Sequence, residues 1–318
     1  MKALSKLLLI IICSLLFIEI LLRFVWGFGN PVLYIADKDF EYIYAPSQDV
    51  TRFGNKIHTN EYSMRSLPVS NNDSICILKI GDSIVNGGSL TDQDSLASTM
   101  LENELTDKFK CPVRVLNISA GSWGPDNAFA YIKKYGDFKA KLMVLVFSSH
   151  DLYDTMMHED VVGLDLSMPK KKPFSACYEL IFRYVVPRMK GYFNIPATST
   201  SKLTPQLVGT NSNAINPGWK QFIDYSKSKK IKLLVVLHPT KYELREKKYD
   251  ANGQKIISML DSTETDYILE LNQGLTQDLF RDDIHYNNKG QKQLVKELYP
   301  YLSTFVSENY KRNNSLIR

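Results

Sequence analysis

Cys76-Ile77-Leu78-Lys79-Ile80-Gly81-Asp82-Ser83, continued by Ile84-Val85-Asn86-Gly87, is the stretch on which the fold turns. Its Ile and Leu run reads as a parallel strand buried on both faces. The strand enters Gly-Asp-Ser directly, and a helical pattern follows from Asp94. A serine at a strand-to-helix turn sits at the carboxyl edge of an open α/β sheet, where such folds collect their chemistry. Gly81 permits the sharp turn, and the N–H groups after it face a site for an anion. The G-x-S-x-G elbow of α/β-hydrolases is absent.

Downstream, strands and helices alternate, which requires a parallel sheet with helices on both faces. Residues 94–109 carry Leu96, Met100, Leu101 and Leu105 at helical spacing. Val113 to Ile118 is the second strand, Asn127 to Tyr135 a helix, and Leu142 to Phe147 the third strand. Trp219 to Lys230 is an amphipathic helix, Ile231 to Leu237 the fourth strand, and Tyr267 to Leu271 the fifth. A final helix covers Gln291 to Phe305. Immediately before it stands Asp282-Asp283-Ile284-His285, a D-x-x-H spacing that lets an aspartate orient the imidazole of a nearby histidine.

These blocks resemble the SGNH (GDSL-type) hydrolase family. Gly81, Asp82, Ser83 and Gly87 match its G-D-S-x-x-x-G block. Asp282, His285, Asn287 and Gly290 match its D-x-x-H-x-n-x-x-G ending. The resemblance spans roughly residues 75–306. It implies an α/β/α sandwich of three layers around a parallel five-stranded sheet of order 2-1-3-4-5, and a Ser83-His285-Asp282 triad in the chain order Ser, Asp, His. It also implies an oxyanion hole from the Ser83 amide, the Gly121 amide and a third donor. An equally good gapless alignment puts Ser122 in the place of Gly121. The third donor in the family is an asparagine side chain, and this chain has His150 there. A ring N–H donates to an oxyanion as an amide does, provided the ring presents the right nitrogen. Asp151 and Asp154 are expected to cap the next turn or orient His150. His238, at another strand end, lacks a triad acid upstream and reads as structural or lining.

Before the core, Leu7 to Leu22 is almost unbroken apolar sequence, extended by Phe24, Val25 and Trp26. Its length is that of a membrane-crossing helix, about 20 residues. Lys2 and Lys6 precede it, which predicts a cytoplasmic start and an exported remainder. No small-x-small cleavage site follows, so the reading is an uncleaved anchor over residues 1–26 rather than a signal peptide. Glu19 and Arg23 are close enough in sequence to pair. Residues 27–72 form a juxtamembrane segment. There Phe40, Tyr42 and Tyr44 read as a short exposed strand, and Gly54 to Arg65 as a hairpin covering the sheet edge. His58 reads as a surface residue, and Asn71 to Ser74 as a turn.

Within the hydrolase-like domain, 73–310, residues 155–217 are too long for a plain connection and read as an insertion serving as a lid or binding surface. It includes Lys170 to Lys172, a helix from Ala176 to Val186 ended by Pro187, and the polar run Thr198 to Ser201. The lysines read first as a solvated patch.

The chain has 318 residues, is 44% hydrophobic and carries a net charge of +5. The charge is too mild to call for nucleic acid. Four cysteines without a C-x-x-C pair argue against zinc or a redox motif, and no metal or cofactor is expected. Cys76 and Cys111 read as small hydrophobes rather than a disulfide. The function expected is serine-dependent ester chemistry, hydrolysis or O-acetyl transfer, on a carbohydrate of the cell envelope or an exported polysaccharide. A transferase would need a membrane acyl-transfer partner. Two other readings are a catalytically silent glycan-binding or assembly module and a lipid-directed esterase.

Overall fold

The computed structural model describes residues 2–70, 75–192 and 214–315. The turn expected at Asn71 to Ser74 and the polar run Thr198 to Ser201 lie outside the described residues. Helix α1 (Lys2–Trp26) is long and apolar enough to cross a membrane. Two antiparallel hairpins follow: β1 (Tyr34–Asp37) with β2 (Glu41–Tyr44), and β3 (Gln48–Arg52) with β4 (Asn55–Thr59). The core then runs β5 (Ile75–Gly81), α2 (Ser83–Asn86), α3 (Ala97–Phe109), β6 (Val113–Ser119), α4 (Pro125–Tyr135) and β7 (Leu142–Ser148). A 3-10 turn at Ser149–Leu152 leads to α5 (Ala176–Glu179), a π turn (Leu180–Val185) and α6 (Val186–Tyr192). The remainder is α7 (Pro217–Lys229), β8 (Lys232–His238), α8 (Lys241–Glu246), α9 (Ala251–Ser262), β9 (Asp266–Leu269) and α10 (Asn288–Ser315).

The sheet is five-stranded and parallel, in the order β6-β5-β7-β8-β9, which is the 2-1-3-4-5 order the resemblance implies. On β5, Leu78 and Ile80 face a core shared with α4, α7 and α9. Ile75 and Ile77 face the opposite core, shared with α3 and α10. Both sides of the strand are therefore dry, which is why its sequence is apolar on both faces instead of alternating, with the buried Lys79 as the exception. Each fully buried Ile or Leu contributes about 2 kcal/mol of transfer free energy.

Gly81 is required by close approach. A Cβ there would stand 2.4 Å from the Val146 carbonyl and 2.6 Å from Val85 Cγ2. Gly87 ends α2 in the left-handed region, at φ 73°.

Three expectations need correction. Phe40, Tyr42 and Tyr44 do not line an exposed strand; all three are buried. The first hairpin lies on α4, with Phe40 packed on Trp123 and Tyr131 at centroid distances of 5.5 and 5.4 Å. The second hairpin covers the turn after α2 rather than the sheet edge. Asn55 Nδ2 donates to the Ser89 carbonyl, and the Lys56 N–H donates to Asp92. The edge strand β6 is met by the segment after the hairpin, where Ser66 Oγ accepts from the Asn117 N–H. Pro187 does not end its helix, which continues to Tyr192. The helix runs through a π turn just before it, with the Val186 N–H bonded to the Ile181 carbonyl, and Pro187, which lacks an N–H, follows that irregular turn instead of ending the helix. Among the described residues no disulfide forms.

The juxtamembrane segment is tied to the insertion by a buried ion pair. Arg52 Nη2 donates to Glu179 Oε1 at 2.5 Å, and both side chains are nearly inaccessible. Glu179 also accepts from the Gly29 N–H and from Arg183. Arg52→Met leaves that carboxylate buried with its strongest partner gone. The expected loss is about 3 kcal/mol of unfolding free energy, read by denaturant melts, whereas Arg52→Met with Glu179→Leu loses much less.

Candidate active site

Register brings the functional groups together. Gly81 aligns with Ser119 on β6 and with Val146 on β7, and Ser148 aligns with His238 on β8. The turns that follow these residues therefore open on one rim. Ser83 starts α2 behind Asp82, whose carboxylate accepts from the Ile84 N–H at 2.8 Å and caps the helix.

Across this rim, His285 Nε2 lies 2.8 Å from Ser83 Oγ. Its Nδ1 lies 2.8 Å from Asp282 Oδ2 and 2.9 Å from Oδ1. Asp282 Oδ1 also accepts the N–H groups of Ile284 and His285, so the loop wraps its own carboxylate. Burial works against the charge on Asp282, but those N–H groups and the imidazole outweigh it and hold the carboxyl below its ordinary value. Burial lowers the His285 pKa and prevails over the attraction of Asp282. The resting ring is therefore neutral at neutral pH, with a proton on the Asp282 side and a lone pair toward Ser83.

The groups expected to hold an oxyanion sit on neighbouring turns. Gly121 follows β6, with open space where a Cβ would lie, and its carbonyl accepts from Tyr42 Oη at 3.0 Å. Ser122 follows in the left-handed region, at φ 57°. His150 stands on the 3-10 turn after β7, and its Nε2 is 3.6 Å from Asp151 Oδ1, beyond hydrogen-bond length. Ligating atoms of Asp82, His150 and Asp151 all lie within 4.8 Å of one another, which brings His150 beside the residue preceding Ser83. Asp151 Oδ2 accepts from the Ser148 N–H and so caps the turn, as expected. Burial, and then the nearby Asp151 charge, pushes the Asp82 carboxyl up to about 7. Burial also raises Asp151.

Three supports hold this rim, and two of them, Arg65 and Arg281, went unread in the sequence. Arg65, buried, donates to the carbonyls of Asn86, Gly88 and Thr91. From the other side Arg281 donates to the Gly87 carbonyl and Thr91 Oγ1. The turn behind Ser83 is thus gripped by two guanidinium groups, one of them adjacent to Asp282. The third support is His238. Its Nδ1 lies 2.5 Å from Glu270, and its Nε2 donates to the Ile284 carbonyl at 2.7 Å. Burial opposes charge on this ring, but the Glu270 carboxylate overcomes it and raises the pKa. Tyr286 Oη also donates to Glu270, so this buried pair holds the loop on both sides of His285. His58 bonds to Asp49 at the surface, outside this constellation.

No protein-family model matches the chain, and no curated protein matches its sequence. Solved structures are similar to it in fold. The lipase/acylhydrolase from Enterococcus faecalis is 9% identical at a TM-score of 0.43, over 72% of this chain and 96% of that one. TesA is 14% identical at 0.42, over 71% and 97%. A two-domain esterase active on acetylated mannans is 10% identical at 0.44, over 75% of this chain and 51% of that one.

Titration of the His285 ring by NMR should show a midpoint below the ordinary 6.5. In Asp282→Asn the midpoint should fall further, because the attraction that favours imidazolium is lost. A midpoint above 6.5 would contradict the burial assigned to this ring.

Proposed function

We propose that the chain is a serine-dependent acyl-ester enzyme of SGNH (GDSL) type, working through Ser83, His285 and Asp282. The observation that carries this is the unbroken line from Asp282 through the ring of His285 to Ser83 Oγ, with contacts of 2.8 Å on each side. In the proposed reaction His285 Nε2 takes the hydroxyl proton as Ser83 Oγ attacks the acyl carbonyl. Asp282 stabilises the imidazolium that forms. The negative oxygen is held by the Ser83 amide, the Gly121 or Ser122 amide and the His150 side chain. When the intermediate collapses, the ester C–O bond breaks and imidazolium returns its proton to the departing alcohol. An acyl-serine remains. His285 then deprotonates either water, giving hydrolysis, or a sugar hydroxyl, giving O-acetyl transfer.

The substrate we infer is an acetylated polysaccharide of the cell envelope or an exported one. The site is shallow, with the Asp282 side chain 51% exposed and that of His285 27%. An open site admits an ester on a bulky polymer, whereas a long acyl chain calls for a deep apolar slot. The apolar α1 suits a single membrane anchor with the domain on the extracytoplasmic side. Transfer in that compartment would draw its acyl group from a membrane partner.

Ser83→Ala should lower kcat on an acetyl ester by on the order of 10⁴-fold or more, and adding His285→Ala should cost little further, since the two act as a unit. The acid limb of kcat/KM should lie below 6.5, because protonating His285 removes the base. Undiminished turnover by Ser83→Ala would refute the mechanism.

A further inference from the structure

The run from α5 through the π turn to α6 is continuous helix from Ala176 to Tyr192. Its inner face is packed. Ala176 joins Leu22 and Phe28 in a small core, and Leu180 and Tyr184 pack against it. Its outer face is apolar and bare. Phe174 just before the helix, then Tyr178, Phe182, Val185, Met189 and Tyr192, are all exposed. Their spacing of three and four residues keeps them on one side. The rings of Phe174, Tyr178 and Phe182 stack outward at centroid distances of 4.8 and 4.4 Å. The stripe is about 27 Å long at the helical rise per residue. A soluble domain rarely leaves so large an apolar strip uncovered.

Its position says what covers it. Glu19, inside α1, accepts the N–H groups of Ala176 at 2.7 Å and Cys177 at 2.9 Å, and so caps the run. Arg23 pairs with Glu19 at 2.7 Å and donates to the Phe174 carbonyl at 3.3 Å. The run therefore begins at the level of Glu19, about 10 Å of helical rise below Trp26. The polar layer on each side of a bilayer is about 5–8 Å thick. Interfacial helices bury their apolar face about 5–10 Å into the headgroup boundary, which matches this depth. Lys170, Lys171, Lys172 and Arg188 are exposed on and just before the run, as headgroup contacts require.

We propose that Ala176–Tyr192 is an interfacial helix whose exposed face lies in the bilayer that α1 crosses, in the leaflet on the catalytic domain's side. This rests on α1 as a membrane span. A single span leaves a domain free to tilt and rotate. A second contact, joined to the first through Glu19 and to the domain through Arg52 and Glu179, fixes the height and facing of the rim that carries Ser83.

The test uses full-length protein in phosphatidylcholine/phosphatidylglycerol nanodiscs. The native cysteines are replaced by serine, and a nitroxide is placed by Ile12→Cys, Phe182→Cys, Met189→Cys or Lys220→Cys. Collision rates with oxygen and with a water-soluble nickel chelate report the surroundings. Labels at 182 and 189 should favour oxygen, as at 12, while the label at 220 favours nickel. Nickel access at 182 and 189 with position 12 still in lipid overturns the interfacial helix and spares the anchor. Nickel access at 12 as well overturns both. Exclusion of both reagents at 182 means a protein surface covers the stripe, and this also overturns the proposal. The unmodified chain gives a second measurement that needs no folded variant. A diazirine phospholipid should crosslink within Phe174–Tyr192, and crosslinks confined to α1 would contradict the assignment.

Discussion

Ser83 and His285 are 202 positions apart and meet at 2.8 Å. The proposed chemistry depends on that contact, and a parallel sheet makes it. All five strands deliver their carboxyl ends to one rim, so residues remote in sequence share an edge. Closing so long a loop costs entropy, and the cost is met by the two dry cores on either side of β5. The site is therefore a product of the core.

A rim made of turns would be loose without further restraint. Arg65 and Arg281 bind five carbonyl and hydroxyl acceptors on the turn behind Ser83, and His238 with Glu270 holds the loop of His285. These are charged groups that are buried or partly buried, each bonded to local acceptors. Such groups are costly to remove from water and persist where geometry has to be held. Arg65 is an extreme case: burial brings its pKa down to about 10, and its immediate partners are carbonyls rather than a carboxylate.

The sheet was legible because buried parallel strands leave apolar runs, because Gly81 sits where the first of those runs ends, and because D-x-x-H stands just before the last helix. Strand positions shifted by a residue or two at their ends. What stayed hidden depends on contacts between remote segments. The burial of Phe40, Tyr42 and Tyr44 is set by α4, which their own alternation does not encode. His238 read as structural or lining, but its partner stayed hidden because that acid, Glu270, comes from the next strand end and not from its own loop. Arg65 lies in a stretch that reads as an ordinary hairpin. The exposed stripe of Ala176–Tyr192 has a plain helical period, yet only the packing of its other face on Leu22 and Phe28 shows which side is left exposed.

The central claim is that the hydroxyl of Ser83 is an activated nucleophile. Treating the full-length protein with a fluorophosphonate and digesting it for mass spectrometry tests that claim without knowledge of the substrate. A single phosphonyl adduct on the Ser83 peptide, absent when His285 is replaced by alanine, is the result expected. An intact protein that takes up no label at Ser83, under conditions that modify a known serine hydrolase, would show that the arrangement is catalytically silent.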